Sequence, residues 1–310
     1  MHGGDHMARS RDPLGFVLVA LSAVSFGTMA IFATFAYRGG ASVLGVVVLR
    51  FALAAAVLWA VVWLRHLRPW PDRVWHLWIL GGILYALQAV LFLQAVRAAS
   101  PALAALFLYV YPVLVVILSA ILRRGAIQRA GVFGLVSASL GLLLVLGLGG
   151  RFSWVGALLA LGAAAVYSVY ILFGQQVIAR GDPIVAAAHI ALAAVCTLTV
   201  AGLVLGGFDF QRFTPQGYVF ASLIGLIPGA LAMFAFLAGL ARIGASRAAI
   251  LSMLEPVVTV LLSAMLLGEG LGPLQLLGGA LVAAGGLCTM LPACGARRGA
   301  QAGSDELSAG

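Results

Sequence analysis

The sequence predicts an all-α integral membrane protein of ten transmembrane helices, arranged as two inverted five-helix repeats. Two observations predict it. First, 63% of the 310 residues are hydrophobic and only 9% are charged, with a mean hydropathy of +1.13. Second, the chain repeats itself, since PVLVVILSAIL (residues 112–122) returns 144 residues later as PVVTVLLSAML (residues 256–266). A spanning helix needs roughly 20 apolar residues, so there is room for about ten.

The apolar segments are continuous, whereas the strands of a membrane β-barrel would alternate in polarity over about ten residues. Each segment is therefore predicted to be one spanning helix, and five fall in each half of the chain. The predicted spans are residues 14–37, 42–66, 74–97, 101–122 and 130–148 in the first half, and 153–178, 184–205, 215–241, 245–267 and 272–292 in the second.

Five helices per half is an odd number, so the second copy would enter the membrane from the opposite side. We expect a first repeat at 13–150 and a second at 151–292, with cytoplasmic tails at 1–12 and 293–310. Inverted repeats let secondary transporters open a central site to alternate sides of the membrane. The alternative is that duplication only enlarged the bundle.

The net charge of +9 comes from 18 basic residues, all of them arginine. With the N-terminus in the cytoplasm, 13 arginines fall on the inner side and four on the outer side, while Arg50 lies within a helix. This asymmetry places both termini inside under the positive-inside rule. The partners implied are the lipid bilayer and a small-molecule substrate. No basic and aromatic patch indicates nucleic acid.

Two prolines mark equivalent positions in the fourth and ninth helices. Pro112 and Pro256 each lie about ten residues into their helices, which at ~1.5 Å per residue is near the middle of the bilayer. Proline removes a helical hydrogen bond and tends to kink a helix. A hinge or gating role and simple curvature both remain open.

The ninth helix carries a carboxylate at the same depth. Glu255 precedes Pro256, and Tyr111 is its counterpart in the first half. A buried carboxylate is costly in a membrane, so it should face a hydrated cavity or a partner. With Ser252 and Thr259 it forms a polar stripe at helical spacing. The stripe would line the translocation path, or alternatively make interhelical hydrogen bonds.

Arg50 is the second buried charge, and His189 is its counterpart when RFALAA (residues 50–55) is aligned with HIALAA (residues 189–194). Arg50 could hold a substrate carboxylate through two parallel hydrogen bonds. The interpretation preferred from sequence is a structural charge, paired with backbone carbonyls or an acid.

Aromatic and polar side chains on three further helices could form the walls of a pocket for an amphipathic solute. Ordinary packing is the alternative for each of them. The candidates are Ser25 and Met29 on the first helix, Tyr85 and Gln88 on the third, and Tyr167 and Tyr170 on the sixth.

Motifs of other protein classes are missing from the sequence. There is no phosphate-binding loop, no GxSG, GxGD or HExxH protease motif, and no paired cysteine spacing. We therefore expect no enzyme activity, no catalytic residues, no cofactor and no metal. Glycines 134, 141, 278 and 285 suggest close helix packing, which favours a monomer, with a homodimer as the alternative.

Two segments carry a family resemblance. LRFALAAAVL (residues 49–58) and LEPVVTVLLSAMLLGE (residues 254–269), together with the two five-helix halves, resemble EamA-type members of the drug/metabolite transporter superfamily. The resemblance covers about residues 14–292. The chain differs from the common pattern in having Phe26 where many members carry tryptophan, and in lacking an acidic residue after Leu122.

The resemblance implies a multi-pass exporter of the bacterial inner membrane, similar to YddG-type exporters of aromatic and other apolar amino acids. The sequence therefore predicts an alternating-access carrier that exports small amphipathic metabolites, with hydrophobic or aromatic amino acids as the first candidates. The alternatives are an exporter of cationic drugs or other metabolites, and a passive channel.

Overall fold

The fold is given by a computed structural model that describes most of the chain. The described residues are 12–71, 74–99, 101–123, 129–146, 153–178, 181–205, 208, 210–267 and 272–289. The predicted C-terminal tail at 293–310, and the N-terminal tail up to residue 11, lie outside them.

All regular secondary structure in the described residues is helical. We number the segments α1 to α10 in chain order and give the letters a and b to the two parts of an interrupted segment. In the first half these are α1a Pro13–Gly27, α1b Met29–Arg38, α2 Val43–Leu64, α3 residues 74–98, α4a Pro101–Leu108, α4b Tyr111–Arg123 and α5 Arg129–Leu146. In the second half they are α6 Trp154–Ile178, α7 Pro183–Leu205, α8 residues 215–243, α9a Ala245–Leu251, α9b Leu254–Leu267 and α10 Pro273–Cys288.

Eight of these helices are long and apolar enough to cross a membrane, and the shorter apolar helices Gly131–Leu146 and Pro273–Cys288 accompany them. Large apolar side chains stand on the outer surface, among them Val17, Leu158 and Met265, which are 60%, 67% and 78% exposed. Such a surface is stable only in lipid. The chain is therefore a multi-pass membrane protein, and each predicted segment overlaps a helix.

Two proline-containing segments are interrupted at equivalent places. In α4 the helix stops at residues 109–110, and in α9 it stops at residues 252–253. Pro112 and Pro256 follow immediately, within the first turn of α4b and α9b, where a missing N–H leaves no helical bond unmade. The sequence predicted the kinks at the two prolines but not that each helix would be divided in two.

The third segment of each half contains a seven-residue π-helical turn, at Ile79–Tyr85 in α3 and at Gly225–Leu231 in α8. The wider π turn shifts the face that the following residues present, and such turns are frequent at functional sites. Tyr85 is the last residue of the first π turn, so the turn helps to set the direction of this ring.

Helices α5 and α10 pack against each other through two glycine pairs, and each pair has one glycine from either half of the chain. A Cβ on Gly134 would lie 2.7 Å from the Gly285 carbonyl oxygen, and one on Gly278 would lie 2.5 Å from the Gly141 carbonyl oxygen. Gly134 and Gly141 are 144 residues from Gly278 and Gly285, respectively. The start of α5 therefore meets the end of α10, and the two helices run antiparallel.

The π turns pack across the halves in the same reciprocal manner. Gly81 of α3 lies against the backbone of Ile190 in α7, while Gly225 of α8 lies against Leu53 and the Arg50 carbonyl in α2. Each half thus places its third segment on the second segment of the other half. This exchange brings Tyr85 and Arg50 to the centre of the bundle.

Helix α1 runs along α8 over its whole length. Asp12 caps the start of α1a by accepting hydrogen bonds from the Leu14 and Gly15 amides, and it forms an ion pair with Arg242 at 3.7 Å. In the middle, Ser22 Oγ donates to the Ala232 carbonyl at 2.8 Å. At the far end, the Thr214 hydroxyl, just before α8, donates to the carbonyl of Gly39, the residue after α1b.

Candidate functional site

The interruptions of α4 and α9 face each other in the interior. The Tyr109 hydroxyl lies within reach of the Glu255 carboxyl group, and the Tyr111 hydroxyl lies within reach of Ser252. Ser252 Oγ donates to the Ala248 carbonyl at 2.9 Å, so its oxygen is left to accept from Tyr111. Tyr109 and Tyr111 of α4 are therefore next to Glu255 and Ser252 of α9.

Four predicted tyrosines form one continuous aromatic chain beside these interruptions. The ring of Tyr111 meets Tyr167 edge to face at 4.7 Å between centroids, Tyr167 stacks on Tyr170 at 5.7 Å, and Tyr170 meets Tyr85 at 5.5 Å. Ser168 Oγ lies 3.2 Å from the Tyr111 carbonyl and ties α6 to α4b. These rings form an aromatic wall in which Tyr111 and Tyr170 are buried, at 3% and 2% exposure.

Arg50 lies at the other end of the aromatic chain and is only 8% exposed. Its Nη2 donates to the Tyr85 hydroxyl and its Nη1 to the Met29 sulfur, both at 3.2 Å. The guanidinium also lies over the rings of Phe51 and Phe26, at 5.0 and 5.7 Å from their centroids. Its Nε–H is buried without a hydrogen-bond partner.

The Arg50 charge acts electrostatically on Glu255. No hydrogen bond or ion pair joins the two side chains in the part of the chain that the structure describes. Glu255 is half-buried, although it lies deep in the bundle. The centre of the protein thus holds one acidic and one basic side chain that no direct contact joins.

The interruption of α1 at Thr28 completes this region. Thr259 Oγ1 of α9b donates to the Gly27 carbonyl at 3.0 Å, and Gly27 packs directly on Val258. Met29, which follows the interruption, reaches Arg50. Ser25 is buried just before the interruption, where its carbonyl accepts a hydrogen bond from Thr28 Oγ1 at 2.7 Å.

The structure brings most of the predicted site residues together. The contacts above join six of them into one connected set: Met29, Arg50, Tyr85, Tyr111, Tyr167 and Tyr170. Ser252 and Glu255 lie next to this set, beside Tyr111. Pro112 and Pro256 are buried beside it. Gln88 is half-buried one turn after Tyr85, without a hydrogen bond to another predicted site residue.

Tyr109, Phe26 and Phe51 were missed from the sequence. On an uninterrupted helix Tyr109 and Tyr111 would point about 200° apart, since each residue turns the helix by about 100°. The interruption between them instead brings their rings to 6.1 Å. The proline that follows was a usable signal, because the helix commonly ends before the residue preceding a proline.

His189, the counterpart of Arg50, lies in a separate cluster. It is fully buried, and its Nε2 donates to the Pro69 carbonyl at 2.8 Å. The ring packs against Trp59 and Trp70, with centroids at 4.9 and 5.5 Å. This histidine therefore fastens the α2–α3 connection to α7.

The site combines one carboxylate, one guanidinium, several hydroxyls and a wall of aromatic rings. Such a set can bind a small amphipathic molecule through its charged groups and its apolar side chain. Among the described residues, no group of three or more His, Cys, Asp or Glu side chains could hold a metal ion. A polytopic helical bundle with divided helices meeting at a polar centre is the architecture of a membrane transporter.

Comparison with known proteins identifies the family. The model of the EamA-like transporter family matches the chain twice, at residues 13–147 and 154–291. The chain belongs to this family, and it is a transporter for a small-molecule substrate.

Two relatives agree with this class, RhtA as an exporter and YcbK as an uncharacterized transporter. The chain is 29% identical over 286 residues to the threonine/homoserine exporter RhtA of Escherichia coli K12, covering 88% of this chain and 89% of RhtA. It is 26% identical over 277 residues to the transporter YcbK of Bacillus subtilis, covering 85% and 88%. A crystal structure with 22% identity superimposes with a TM-score of 0.79, covering 90% of this chain and 97% of that chain, which establishes the likeness of fold.

Proposed function

We propose that this protein is an alternating-access carrier that exports small amphipathic metabolites, first among them hydrophobic and aromatic amino acids, across the bacterial inner membrane. One observation carries the proposal: the divided helices α4 and α9 meet at Glu255, beside a chain of tyrosines that leads to Arg50. An amino acid has the matching combination of an ammonium, a carboxylate and a side chain.

Ten spans in two inverted repeats form the framework of this mechanism, with α5 and α10 as the two shorter spans. The exchanged glycine pairs of α5 and α10 support the inversion, because a two-fold axis in the membrane plane would produce them. The reciprocal packing of α3 on α7 and of α8 on α2 supports the same axis. Each half can then adopt the arrangement of the other, which opens the centre to alternate sides.

The two family matches support a division into repeats at residues 13–150 and 151–292. The arginine asymmetry supports cytoplasmic termini and insertion in the inner membrane. Because the exchanged glycine pairs are within one chain, they also support a monomer as the functional unit.

In this proposal the translocation path is lined by Ser25, Met29, Tyr85, Gln88, Tyr111, Tyr167, Tyr170, Ser252 and Glu255, with Tyr109 in addition. Pro112 and Pro256 act as hinges, because both helix interruptions precede them directly. A proline at the start of a half-helix prevents the two parts from joining into one rigid helix.

Amino acids are preferred over organic cations because of Arg50. Glu255 and the tyrosine rings alone would suit a cation, but a buried guanidinium that acts on the same centre disfavours a ligand with only positive charge. The relation to a threonine/homoserine exporter supports the amino-acid class. The aromatic walls support larger apolar side chains within that class.

The test is counterflow in liposomes that contain the purified protein. Vesicles loaded with unlabelled L-phenylalanine should accumulate labelled L-phenylalanine transiently, with a rate that saturates. L-leucine and L-threonine are tested in parallel, with tetraphenylphosphonium as the cationic drug. Protein-free vesicles and Tyr218→Phe protein, altered at an exposed residue outside the site, serve as controls.

The outcomes separate the alternatives. Saturating counterflow with an amino acid supports the carrier. Flux that neither saturates nor shows counterflow would indicate a channel. Counterflow of tetraphenylphosphonium without that of any amino acid would replace the proposed substrate class by organic cations.

A further inference from the structure

Arg50 has more hydrogen-bond donors than the protein uses. A guanidinium carries five N–H donors and stays charged at any physiological pH. The structure gives Arg50 two acceptors, the Tyr85 hydroxyl and the thioether sulfur of Met29, and a thioether is a weak acceptor. The Nε–H has no hydrogen-bond partner, although Arg50 is only 8% exposed.

This set of contacts differs from that of a structural anchor. An arginine that only stabilised the bundle would be neutralised by a carboxylate or satisfied by backbone carbonyls, because a buried unpaired charge is costly in a membrane. Its counterpart His189 has Nε2 on the Pro69 carbonyl, although its Nδ1 is also buried without a partner. Arg50 instead rests on the faces of Phe26 and Phe51.

Ring faces, the Tyr85 hydroxyl and a thioether hold the guanidinium in position and leave its Nε–H unpaired. The edge formed by Nε and one Nη is the part of arginine that binds a carboxylate through two parallel hydrogen bonds. On Arg50 the Nε half of that edge is unpaired. Glu255 is the acidic side chain of the same region, next to Tyr109 and Tyr111 at the other end of the tyrosine chain.

We propose that Arg50 binds the carboxylate of the transported molecule, with Glu255 facing its ammonium group, so that the site selects zwitterionic α-amino acids. This inference rests on the proposed function and narrows its substrate class. The zwitterion neutralises both buried charges at once, whereas an amine leaves Arg50 unpaired and a carboxylic acid leaves Glu255 unpaired.

A site built to hydrogen-bond a substrate group strongly rejects an analogue that lacks it, because its own buried groups are then left unpaired. Phenylalaninamide and phenethylamine, which lack the carboxylate, should therefore compete at least about tenfold more weakly than L-phenylalanine. 3-Phenylpropionate, which lacks the ammonium, should compete as poorly. All four molecules carry the same aromatic ring, so ring packing alone would not separate them.

The experiment measures competition against counterflow of labelled L-phenylalanine, with labelled L-threonine as a second probe, in wild-type and Arg50→Gln protein. In the variant, the half-saturating concentration should rise at least about tenfold, because a charge-assisted bidentate contact is lost. The variant should also no longer prefer phenylalanine to phenylalaninamide. The matched control is Arg38→Gln, which removes an exposed arginine that likewise lies over a ring, that of Phe35.

Thermal unfolding in detergent checks that each variant is folded. Should Arg50→Gln be unfolded, Arg50→Lys replaces it, since it keeps the charge and loses the planar edge, and it should show the same loss of preference to a smaller degree. Equal competition by phenylalanine and phenylalaninamide in the wild type would overturn this inference and leave the carrier proposal intact. A folded Arg50 variant that keeps the preference would overturn it too. Absence of counterflow for both labelled amino acids would overturn the proposed function itself.

Discussion

Tyr109 and Glu255 meet where the two divided helices face each other, since the tyrosine hydroxyl at the interruption of α4 lies within reach of the carboxyl group in the first turn of α9b. Tyr109 lies in α4 and Glu255 in α9, the corresponding segments of the two halves. The two residues do not occupy corresponding positions, because the counterpart of Glu255 in the first half is Tyr111. Removing this hydroxyl takes away a hydrogen-bond donor, which is worth about 0.5–1.5 kcal/mol.

Tyr109→Phe should therefore lower the thermal stability of the protein in detergent and slow amino-acid counterflow. The ring stays in place, so packing is nearly unchanged. Tyr218→Phe is the matched control, because it removes an exposed hydroxyl that donates to the Phe210 carbonyl at 3.1 Å. If both variants melt at the same temperature as the wild type, the bond does not stabilise the structure.

Glu255→Gln tests the carboxylate directly. The amide keeps the shape and can still accept from Tyr109, but it removes the negative charge that would face a substrate ammonium. We expect counterflow of L-phenylalanine to fall by at least about tenfold, the equivalent of 1.4 kcal/mol or more. Rates equal to those of the wild type across a range of pH would exclude Glu255 from the transport mechanism.

Hydrophobicity and the internal repeat were enough to predict the membrane class and the approximate positions of the helices in the described part of the chain. The prolines indicated which two segments are interrupted, and helical spacing selected Tyr85, Tyr167 and Tyr170, whose rings the structure brings into contact. Helical spacing failed where the helix itself stops, which is why Tyr109 was missed. The π turns were also missed, because a one-residue widening of the helix leaves no periodic signal in a uniformly apolar segment.

The contacts of Arg50 show a second limit of sequence reasoning. From sequence it was expected to pair with carbonyls or an acid. Its hydrogen-bond partners in the structure are Met29 and Tyr85, from α1b and the π turn of α3. These two segments come together only through the exchange of α3 and α8 between the halves, which spacing along the chain does not reveal.

The glycine contact between α5 and α10 makes a prediction about stability. Gly141→Ala would push a methyl group into the Gly278 backbone, which cannot move aside as a side chain could. Overpacking of this kind costs about 1–3 kcal/mol. Gly131→Ala in the same helix is the control, because a Cβ there meets nothing within 4 Å. Thermal unfolding should show a lower midpoint for Gly141→Ala alone, and equal midpoints would contradict the close approach.

His189→Leu should release the connection between α2 and α3. The substitution keeps an apolar side chain between Trp59 and Trp70 but removes the donor to the Pro69 carbonyl. Hydrogen–deuterium exchange of residues 65–71 should become faster, since local opening costs less once this bond is gone. His66→Asn is the control within the same segment: His66 is exposed and has a φ of 52°, which asparagine tolerates. Unchanged exchange in His189→Leu would show that apolar packing between Trp59 and Trp70 is enough to hold the segment.

Pro112→Ala and Pro256→Ala test whether the interruptions serve transport. Alanine restores an N–H that can donate to the carbonyl four residues earlier, on Leu108 or Ser252, so each divided helix can close into a continuous one. Both variants should remain folded, yet counterflow should slow by at least about tenfold while the half-saturating concentration changes less, because a hinge affects interconversion more than binding. Pro215→Ala, at the exposed start of α8, is the control and should transport normally. Wild-type rates in both proline variants would mean that the prolines shape the bundle without moving it.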